Sequence, residues 1–264
     1  MSARRASRMK LVMFDVDGTL TQASQADWEY YVAALRRLVR VEHFSLDWSV
    51  YPHVTDSAIL DYYFMAATGK APQTSEVDAF QQAFTQGLAS QVAANPERFQ
   101  PMPGADAVLE RLLRSSDYGV ALATGGWRRP ALFKLHAAGL TVEGLPAAFA
   151  DDGHSREEIM ETACWRASEH YGCPGFETVI YVGDGAHDVR AARNLSYGFI
   201  GIAEAERAEK LRAAGARYVT ADFTDLAAFL SLLDEAERAC GRVEPGLGFA
   251  RETHGRNLDR RKQR

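Results

Sequence analysis

Short apolar runs recur along the chain and alternate with longer segments of helical periodicity. Six runs are rich in β-branched or aromatic residues and predict strands at Lys10–Asp15, Gly119–Ala123, Ala147–Ala150, Thr178–Val182, Tyr197–Ile202 and Arg217–Val219. Helical patterns lie between or after them, at Ala105–Arg114, Arg128–Ala138, Ser155 to near Gly172, Glu204–Ala214 and Thr224–Cys240. Alternation of strands with helices predicts a parallel sheet that is covered on both faces.

The stretch from residue 21 to residue 100 does not follow this alternation. It contains three helical patterns, each with a candidate N-cap at its first residue: Ser24–Val41, Thr55–Ala67 and Ser75–Ala94. A Pro- and Gly-rich segment, PMPG, follows as a linker. We therefore predict a core domain of residues 9–20 and 101–240, a small helical domain of residues 21–100, and flexible tails at residues 1–8 and 241–264.

Composition narrows the function classes. The 264 residues are 47% hydrophobic and 25% charged, as in an ordinary soluble protein. The formal charge of −5 argues against a general nucleic-acid binder, and no apolar run approaches the ~20 residues that would span a membrane. Three cysteines without a C-x-x-C pair indicate neither a disulfide framework nor a zinc site. A cytoplasmic location is the default, and a monomer and a homodimer are both compatible with the sequence.

Polar side chains concentrate where the predicted strands end. Asp15 and Asp17 lie in DVDGTL, Thr124 in ATGG, and Asp184 and Asp188 in GDGAHD. Ligands of open α/β sheets bind beyond the carboxyl ends of the strands, so these groups should converge. Four carboxylates repel one another unless a cation lies between them, and oxygen ligands without His or Cys suit Mg²⁺.

Asp15 and Asp17 are two residues apart, so in a regular strand they would face opposite sides of the sheet. A turn at Gly18 can bring both to one ligand. Such a pair could supply a nucleophile and a general acid/base side by side.

In this order and placement, DVDGTL, the strand-end Thr124 and GDGAHD resemble the motifs of the haloacid dehalogenase superfamily, from Lys10 to about Leu233. The resemblance implies a Rossmann-like three-layer α/β sandwich with a helical cap, of the phosphoglycolate phosphatase type. It implies a Mg²⁺-dependent phosphatase acting on a small phosphorylated metabolite through an aspartyl-phosphate.

The resemblance also implies roles for individual residues. Asp15 would attack phosphorus and Asp17 would act as the acid/base. Thr124, with backbone amides near Gly125 and Gly126, would hold the phosphoryl oxygens. The metal ligands would be the carboxylates of Asp15 and Asp184 and the carbonyl of Asp17, with Asp188 supporting them.

One basic residue departs from the family pattern. The family places a lysine early in the helix after the third strand, where this chain has DDGHSREEIM and no lysine. Arg156 is the nearest cation, and arginine binds phosphate as a planar fork rather than as a point charge. Arg128 and Arg129, just after TGGW, are competing candidates.

The cap sequence offers a second group of candidates. His53 and Asp56 could face the substrate, or Thr55 and Asp56 could merely cap a helix while the nearby aromatic residues pack the cap core. Helical spacing places Trp28, Tyr31 and Leu35 in that core. His187 is expected in a loop or at the start of a helix.

Alternatives within the same fold are a sugar-phosphate mutase and a phosphonatase. A phosphonatase would need a cap lysine, and the cap span contains only Lys70, in a Gly-rich turn. A non-catalytic phosphate-binding regulatory protein is the alternative from another class, suggested by the missing lysine.

Overall fold

The computed structural model describes residues 9–22 and 24–240. It confirms the α/β architecture: six strands form one parallel sheet in the order β3-β2-β1-β4-β5-β6. The strands are β1 Lys10–Phe14, β2 Tyr118–Ala123, β3 Ala147–Ala148, β4 Val179–Gly183, β5 Gly198–Ile202 and β6 Tyr218–Thr220. Because β1 is paired with β2 on one side and β4 on the other, their carboxyl ends adjoin at one edge.

Helices connect the strands and cover the sheet. In the part of the chain described they are α1 Ser24–Ala34, α2 Asp56–Thr68, α3 Thr74–Ala94, α4 Ala105–Leu113, α5 Arg128–Ala137, α6 Arg156–Tyr171, α7 Ala186–Asn194, α8 Ala205–Ala213 and α9 Leu226–Ala239. Short 3₁₀ turns occur at Trp48–Val50 and Pro96–Phe99, and a π-helical turn at Leu35–Val39 follows α1.

The central strand is buried on both faces, as expected for a parallel sheet. Val12 and Phe14 belong to the hydrophobic cluster that also contains residues of α4 and α9. Leu11 and Met13 belong to the cluster formed with α6 on the other face. The alternation of side chains along β1 thus builds two layers of core and holds the residues after Phe14 rigidly in place.

Two of the predicted helix starts are confirmed and one is not. Thr55 caps α2, where its hydroxyl accepts a hydrogen bond from the Ala58 N–H at 3.3 Å, and the Ser155–Glu158 capping box is also confirmed. The prediction that Ser75 is an N-cap was wrong, because α3 begins at Thr74 and Glu76 accepts from the Gln73 N–H at 2.7 Å.

The first cap helix is shorter than predicted. It turns π-helical at Leu35–Val39 and ends at Arg40, which adopts a left-handed conformation with φ 59°. The capping role predicted for Ser24 depends on its side chain, which the structure does not describe, and the tails predicted at residues 1–8 and 241–264 lie outside the described residues.

The helices α1, α2 and α3 share a hydrophobic cluster of their own, centred on Tyr31, Phe80 and Phe84. The cluster extends to Trp127 and Ala150 of the sheet region. We propose that residues 21–100 form the cap and that residues 9–20 and 101–240 form the core domain. None of the described helices combines the length and the apolar character that crossing a membrane requires.

Candidate active site

A cavity of about 740 Å³ opens at the carboxyl edge of the sheet, between the sheet and the cap helices. Asp15 follows β1 directly, and Gly18 adopts φ 74°, as the predicted turn requires. Asp15, Asp17, Thr124 and Asp184 all line the cavity. The turn therefore brings Asp15 and Asp17 to the same cavity despite their spacing of two.

Three carboxylates form a compact cluster at this cavity: Asp15 and Asp184 line it, and Asp188 is buried directly beside them. Asp15, Asp184 and Asp188 each offer an oxygen, and the three oxygens lie within 4.8 Å of one another. Burial raises the pKa of all three carboxyls. Arg207 of α8 forms an ion pair with Asp184.

The donor set of this cluster fits a small divalent cation. One oxygen of Asp188, Oδ2, accepts a hydrogen bond from the Gly185 N–H at 2.9 Å. The other, Oδ1, is fully buried and makes no hydrogen bond with the described residues. A buried carboxylate oxygen without a hydrogen bond, beside two further carboxylates, is an oxygen-only set of the kind that Mg²⁺ takes.

Arg156 is a second cation at this cluster, beside Arg207. It opens α6, and its Nη1 lies 3.2 Å from Asp15 Oδ1 and 3.3 Å from Asp188 Oδ1. Its Nη2 lies 3.0 Å from Nε2 of His187 in the first turn of α7. Burial, followed by the charge of Arg156, lowers the pKa of His187 to about 3, so this imidazole is neutral and accepts from the guanidinium.

The competing arginines lie elsewhere. Nη2 of Arg128 is 3.8 Å from an Asp152 oxygen, and its guanidinium stacks over the Phe149 ring at 4.5 Å. Arg129 is exposed on α5. Neither lines the cavity, so of the three candidates only Arg156 meets the predicted nucleophile.

The loop after β2 supplies the predicted phosphoryl-binding groups. Thr124 is buried, and its hydroxyl accepts a hydrogen bond from the Gly126 N–H at 3.2 Å. A Cβ at Gly125 would come within 2.9 Å of both Arg156 Nε and Val54 O. Only glycine fits this narrow gap between core and cap.

Lys134 was missed by the sequence reasoning. This α5 side chain is only 1% exposed, and its Nζ donates a 2.6 Å hydrogen bond to Oδ2 of Asp17. It also forms an ion pair with Asp27 of α1, a cap residue. The signal in the sequence was its position: α5 buries Pro130, Ala131 and Leu135 on the same face.

The charges around Lys134 are unbalanced. Burial alone would lower the pKa of Lys134, but the carboxylates of Asp17, Asp27 and Asp56 reverse this and raise it above its ordinary value. Burial raises the pKa of Asp27 to about 7, and it also raises the pKa of Asp56. The ammonium of Lys134 therefore interacts electrostatically with three carboxyl groups at the junction of cap and core.

A four-residue segment of the cap, residues 54–57, docks on the core. The Asp56 N–H donates to Gly125 O at 2.7 Å, and Asp56 Oδ2 accepts from the Trp127 N–H at 2.8 Å. The hydroxyls of Thr55 and Ser57 donate to His154 O and Ala150 O, both at 2.7 Å. Asp56 thus lines the cavity while it holds the cap against the core.

Two expectations for the cap need correction. His53 is exposed and does not line the cavity, because the chain turns inward only from Val54. Tyr31 and Leu35 are fully buried as predicted, but Trp28 is half-buried and lines the cavity together with Trp48. Part of the predicted aromatic core therefore faces the site.

Comparison with known proteins agrees with this geometry. A search of curated proteins found no match. Among solved structures, similarity extends to a hydrolase from Pseudomonas syringae, at 21% identity over 83% of this chain and 97% of that one, TM-score 0.61. A phosphonoacetaldehyde hydrolase-like protein from Oleispira antarctica has 16% identity over 91% and 97%, TM-score 0.61. A beta-phosphoglucomutase from Clostridium difficile has 16% identity over 88% and 98%, TM-score 0.59.

At these identities the solved structures establish the fold alone. A family profile described as haloacid dehalogenase-like hydrolase matches residues 9–195, which include the three motifs and the cap. With that match over more than half of its length, the chain belongs to the haloacid dehalogenase-like hydrolase family.

Proposed function

We propose that the protein is a Mg²⁺-dependent phosphohydrolase that cleaves a phosphate monoester through an aspartyl-phosphate on Asp15. The observation that carries the proposal is that oxygens of Asp15, Asp184 and Asp188 lie within 4.8 Å of one another, beside a cavity that Asp17 and Thr124 line. A cluster of carboxylates alone would repel an anionic substrate. It becomes a phosphoryl site only with the cationic partners that surround it here.

In the first half of the reaction, an Asp15 carboxylate oxygen forms a bond to phosphorus while the bond from phosphorus to the ester oxygen breaks. Asp17 gives a proton to the departing oxygen. In the second half, Asp17 takes a proton from a water molecule as the water oxygen bonds to phosphorus. The bond from Asp15 to phosphorus then breaks, and inorganic phosphate leaves.

The surrounding groups position the phosphoryl group and balance its charge. Arg156 lies 3.2 Å from Asp15 and can bind phosphoryl oxygens as a fork. Thr124 and the amides of Gly125 and Gly126 would bind the remaining oxygens. Asp15, Asp184 and the carbonyl of Asp17 would hold Mg²⁺ with support from Asp188, and the ion supplies charge neutralisation for the phosphoryl group when bound.

Lys134 supports the role of Asp17. Its hydrogen bond at 2.6 Å fixes one oxygen of the Asp17 carboxylate, while the other, Oδ1, makes no hydrogen bond with the described residues. A carboxylate that one hydrogen bond holds in place, with its second oxygen still unpaired, is suited to proton transfer. Asp17 is therefore oriented before a substrate arrives.

The choice among related chemistries rests on two features. An aspartate at position 17 provides the acid/base that ester hydrolysis needs. A phosphonatase would need a cap lysine at the cavity, and Lys70 is exposed and does not line it. The phosphonoacetaldehyde hydrolase-like relative therefore shares the fold without favouring its reaction here.

Release of phosphate from phenyl phosphate, with Mg²⁺ and with a chelator, tests the proposal. We expect release with Mg²⁺ only, and none from the Asp15→Asn variant. Asp117→Asn is the matched control, because this exposed residue precedes β2 at the opposite edge of the sheet.

Three results would contradict parts of the proposal. Turnover by Asp15→Asn would remove Asp15 as the nucleophile. Magnesium-dependent binding of a phosphate mimic without turnover would favour the non-catalytic alternative. Phosphoryl transfer from a sugar bisphosphate that outpaces its hydrolysis would identify a mutase.

A further inference from the structure

The cavity is larger than the phosphoryl chemistry requires. Its volume of about 740 Å³ falls in the range of pockets that enclose whole drug-sized ligands, about 300–1,000 Å³. The groups assigned to the phosphoryl site lie at the edge of the sheet. The rest of the lining must therefore face the organic part of the substrate, and it divides into two walls of different chemistry.

The cap side of the cavity is aromatic and apolar. The rings of Trp28 and Trp48 lie 4.4 Å apart between centroids, and Phe44 packs against both, at 5.8 Å and 6.5 Å. Leu46, which also lines the cavity and is 67% exposed, adds apolar surface to this wall. This wall provides an apolar surface held in place by neighbouring rings.

The core side of the cavity is basic. Arg190 and Arg193 lie three residues apart on α7, and Arg207 and Lys210 lie three apart on α8, so each pair shares a helix face. All four line the cavity. We call these four residues the basic wall.

The proposed phosphoryl chemistry does not account for the basic wall. Arg156 already forms ion pairs with Asp15 and Asp188, and Arg207 forms one with Asp184. Arg190 and Arg193 form no ion pair with the residues that the structure describes, and the ion pair of Lys210 with Glu206 is exposed and weak. Of the acidic cap residues that line the cavity, Asp47 accepts from the N–H and hydroxyl of Ser49, Asp56 from the Trp127 N–H, and Asp27 pairs with Lys134. Arg190 and Arg193 thus line the cavity without an ion-pair partner among the described residues.

From these two walls we infer the substrate class: a phosphate monoester of a flat apolar or aromatic group that carries a second anion. The inference rests on the proposed function, since the phosphoryl group must lie at Asp15. The ring would lie against Trp28 and Trp48, and the second anion would lie against Arg190 and Arg193. The second anion is a carboxylate or a phosphate, which an arginine pair binds with the same bidentate geometry.

Three substrates that differ in one substituent test this inference. Phenyl phosphate has no second anion, 4-carboxyphenyl phosphate adds a carboxylate, and benzene-1,4-diyl bisphosphate adds a phosphate. We expect the protein to prefer at least one anionic ester over phenyl phosphate by about tenfold or more in kcat/KM. Whichever ester is preferred identifies the second anion.

Variants assign the preference to the walls. The double variant Arg190→Gln/Arg193→Gln should lose most of the preference, and Trp48→Leu should weaken binding of all three aryl esters. Arg212→Gln is the control, because Arg212 is an exposed α8 residue outside the cavity lining. It removes one charge of the same type and should keep the wild-type ratio.

A binding measurement separates this inference from the proposed reaction. Calorimetric titration with phenylphosphonate and 4-carboxyphenylphosphonate, in Mg²⁺, needs no turnover. If no ester is hydrolysed but the carboxylated phosphonate binds about tenfold more tightly, the reaction fails and the substrate class stands. Equal affinities and equal kcat/KM for all three esters, or a preference that survives in the double arginine variant, would overturn the inference.

Discussion

Replacing Lys134 by methionine removes the charge with which both Asp17 and Asp27 form ion pairs. The ammonium is 1% exposed, and the side chains of Asp17 and Asp27 are 21% and 7% exposed. Methionine has a similar length and fills the space without opening a cavity. The substitution therefore tests electrostatics and hydrogen bonding rather than packing.

The expected loss is large because the partners remain. Removing one member of a buried ion pair leaves an uncompensated charge, at a cost of about 3–5 kcal/mol in the free energy of unfolding. The estimate needs no reduction for surface screening, since Lys134 and Asp27 are both buried. A domain is stable by about 5–15 kcal/mol in total, so this variant should lose a substantial part of its stability.

Urea unfolding followed by circular dichroism measures the loss. In the double variant Lys134→Met/Asp27→Asn one of the stranded carboxylates is gone, and we expect recovery of about 1–3 kcal/mol relative to Lys134→Met alone. Lys70→Met is the control, because Lys70 is exposed and its loss should stay within about 0.5 kcal/mol.

A second readout separates the positioning of Asp17 from stability. If Lys134 orients the acid/base, Lys134→Met should lower kcat by about tenfold or more at temperatures where it is fully folded. KM should change less, because Lys134 does not line the cavity. A Lys134→Met protein as stable as the wild type, or one with unchanged kcat, would refute the reasoning from burial and hydrogen bonding.

Three further predictions concern other parts of the site. Arg156→Met should lower kcat by about 100-fold through loss of charge-assisted hydrogen bonds to the phosphoryl group, and Arg156→Lys should restore part of it; wild-type activity of Arg156→Met would exclude a role for the arginine fork. Asp188→Asn should raise the Mg²⁺ concentration at half-maximal thermal stabilisation by about tenfold, and an unchanged titration would place Asp188 outside the metal shell. Asp152→Asn should cost about 1–3 kcal/mol at neutral pH, because Arg166 binds this carboxylate through two 2.7 Å contacts. Although burial opposes it, Arg166 holds the pKa of Asp152 below its ordinary value of 3.8. The contribution to stability is therefore present above pH 3.8 and is lost as the pH falls through the native-state pKa. A difference in unfolding free energy between wild type and variant that grows on acidification would contradict this.

Local patterns in the sequence were sufficient to predict the sheet and the convergence of its motifs. Every predicted strand overlaps an observed one, because buried parallel strands must be short apolar runs bounded by turn residues. Asp15 and Asp184 could be placed at one site because the carboxyl ends of parallel strands share one edge. Gly18 could be assigned its turn because few other residues adopt a positive φ.

The contacts between cap and core depended on tertiary structure. Lys134 lies 107 residues from Asp27 and 117 from Asp17, and no local pattern relates positions so far apart. The exposure of His53 and the placement of Trp28 at the cavity also depend on how the cap docks, which the contacts of residues 54–57 determine. Periodicity shows which face of a helix is apolar, but not whether that face meets core or substrate.

The sequence by itself thus determined the sheet and its strand-end motifs, because each depends on neighbouring residues. Only the tertiary structure decided which cation serves each carboxylate and which cap residues face the cavity, because those depend on the packing of distant segments.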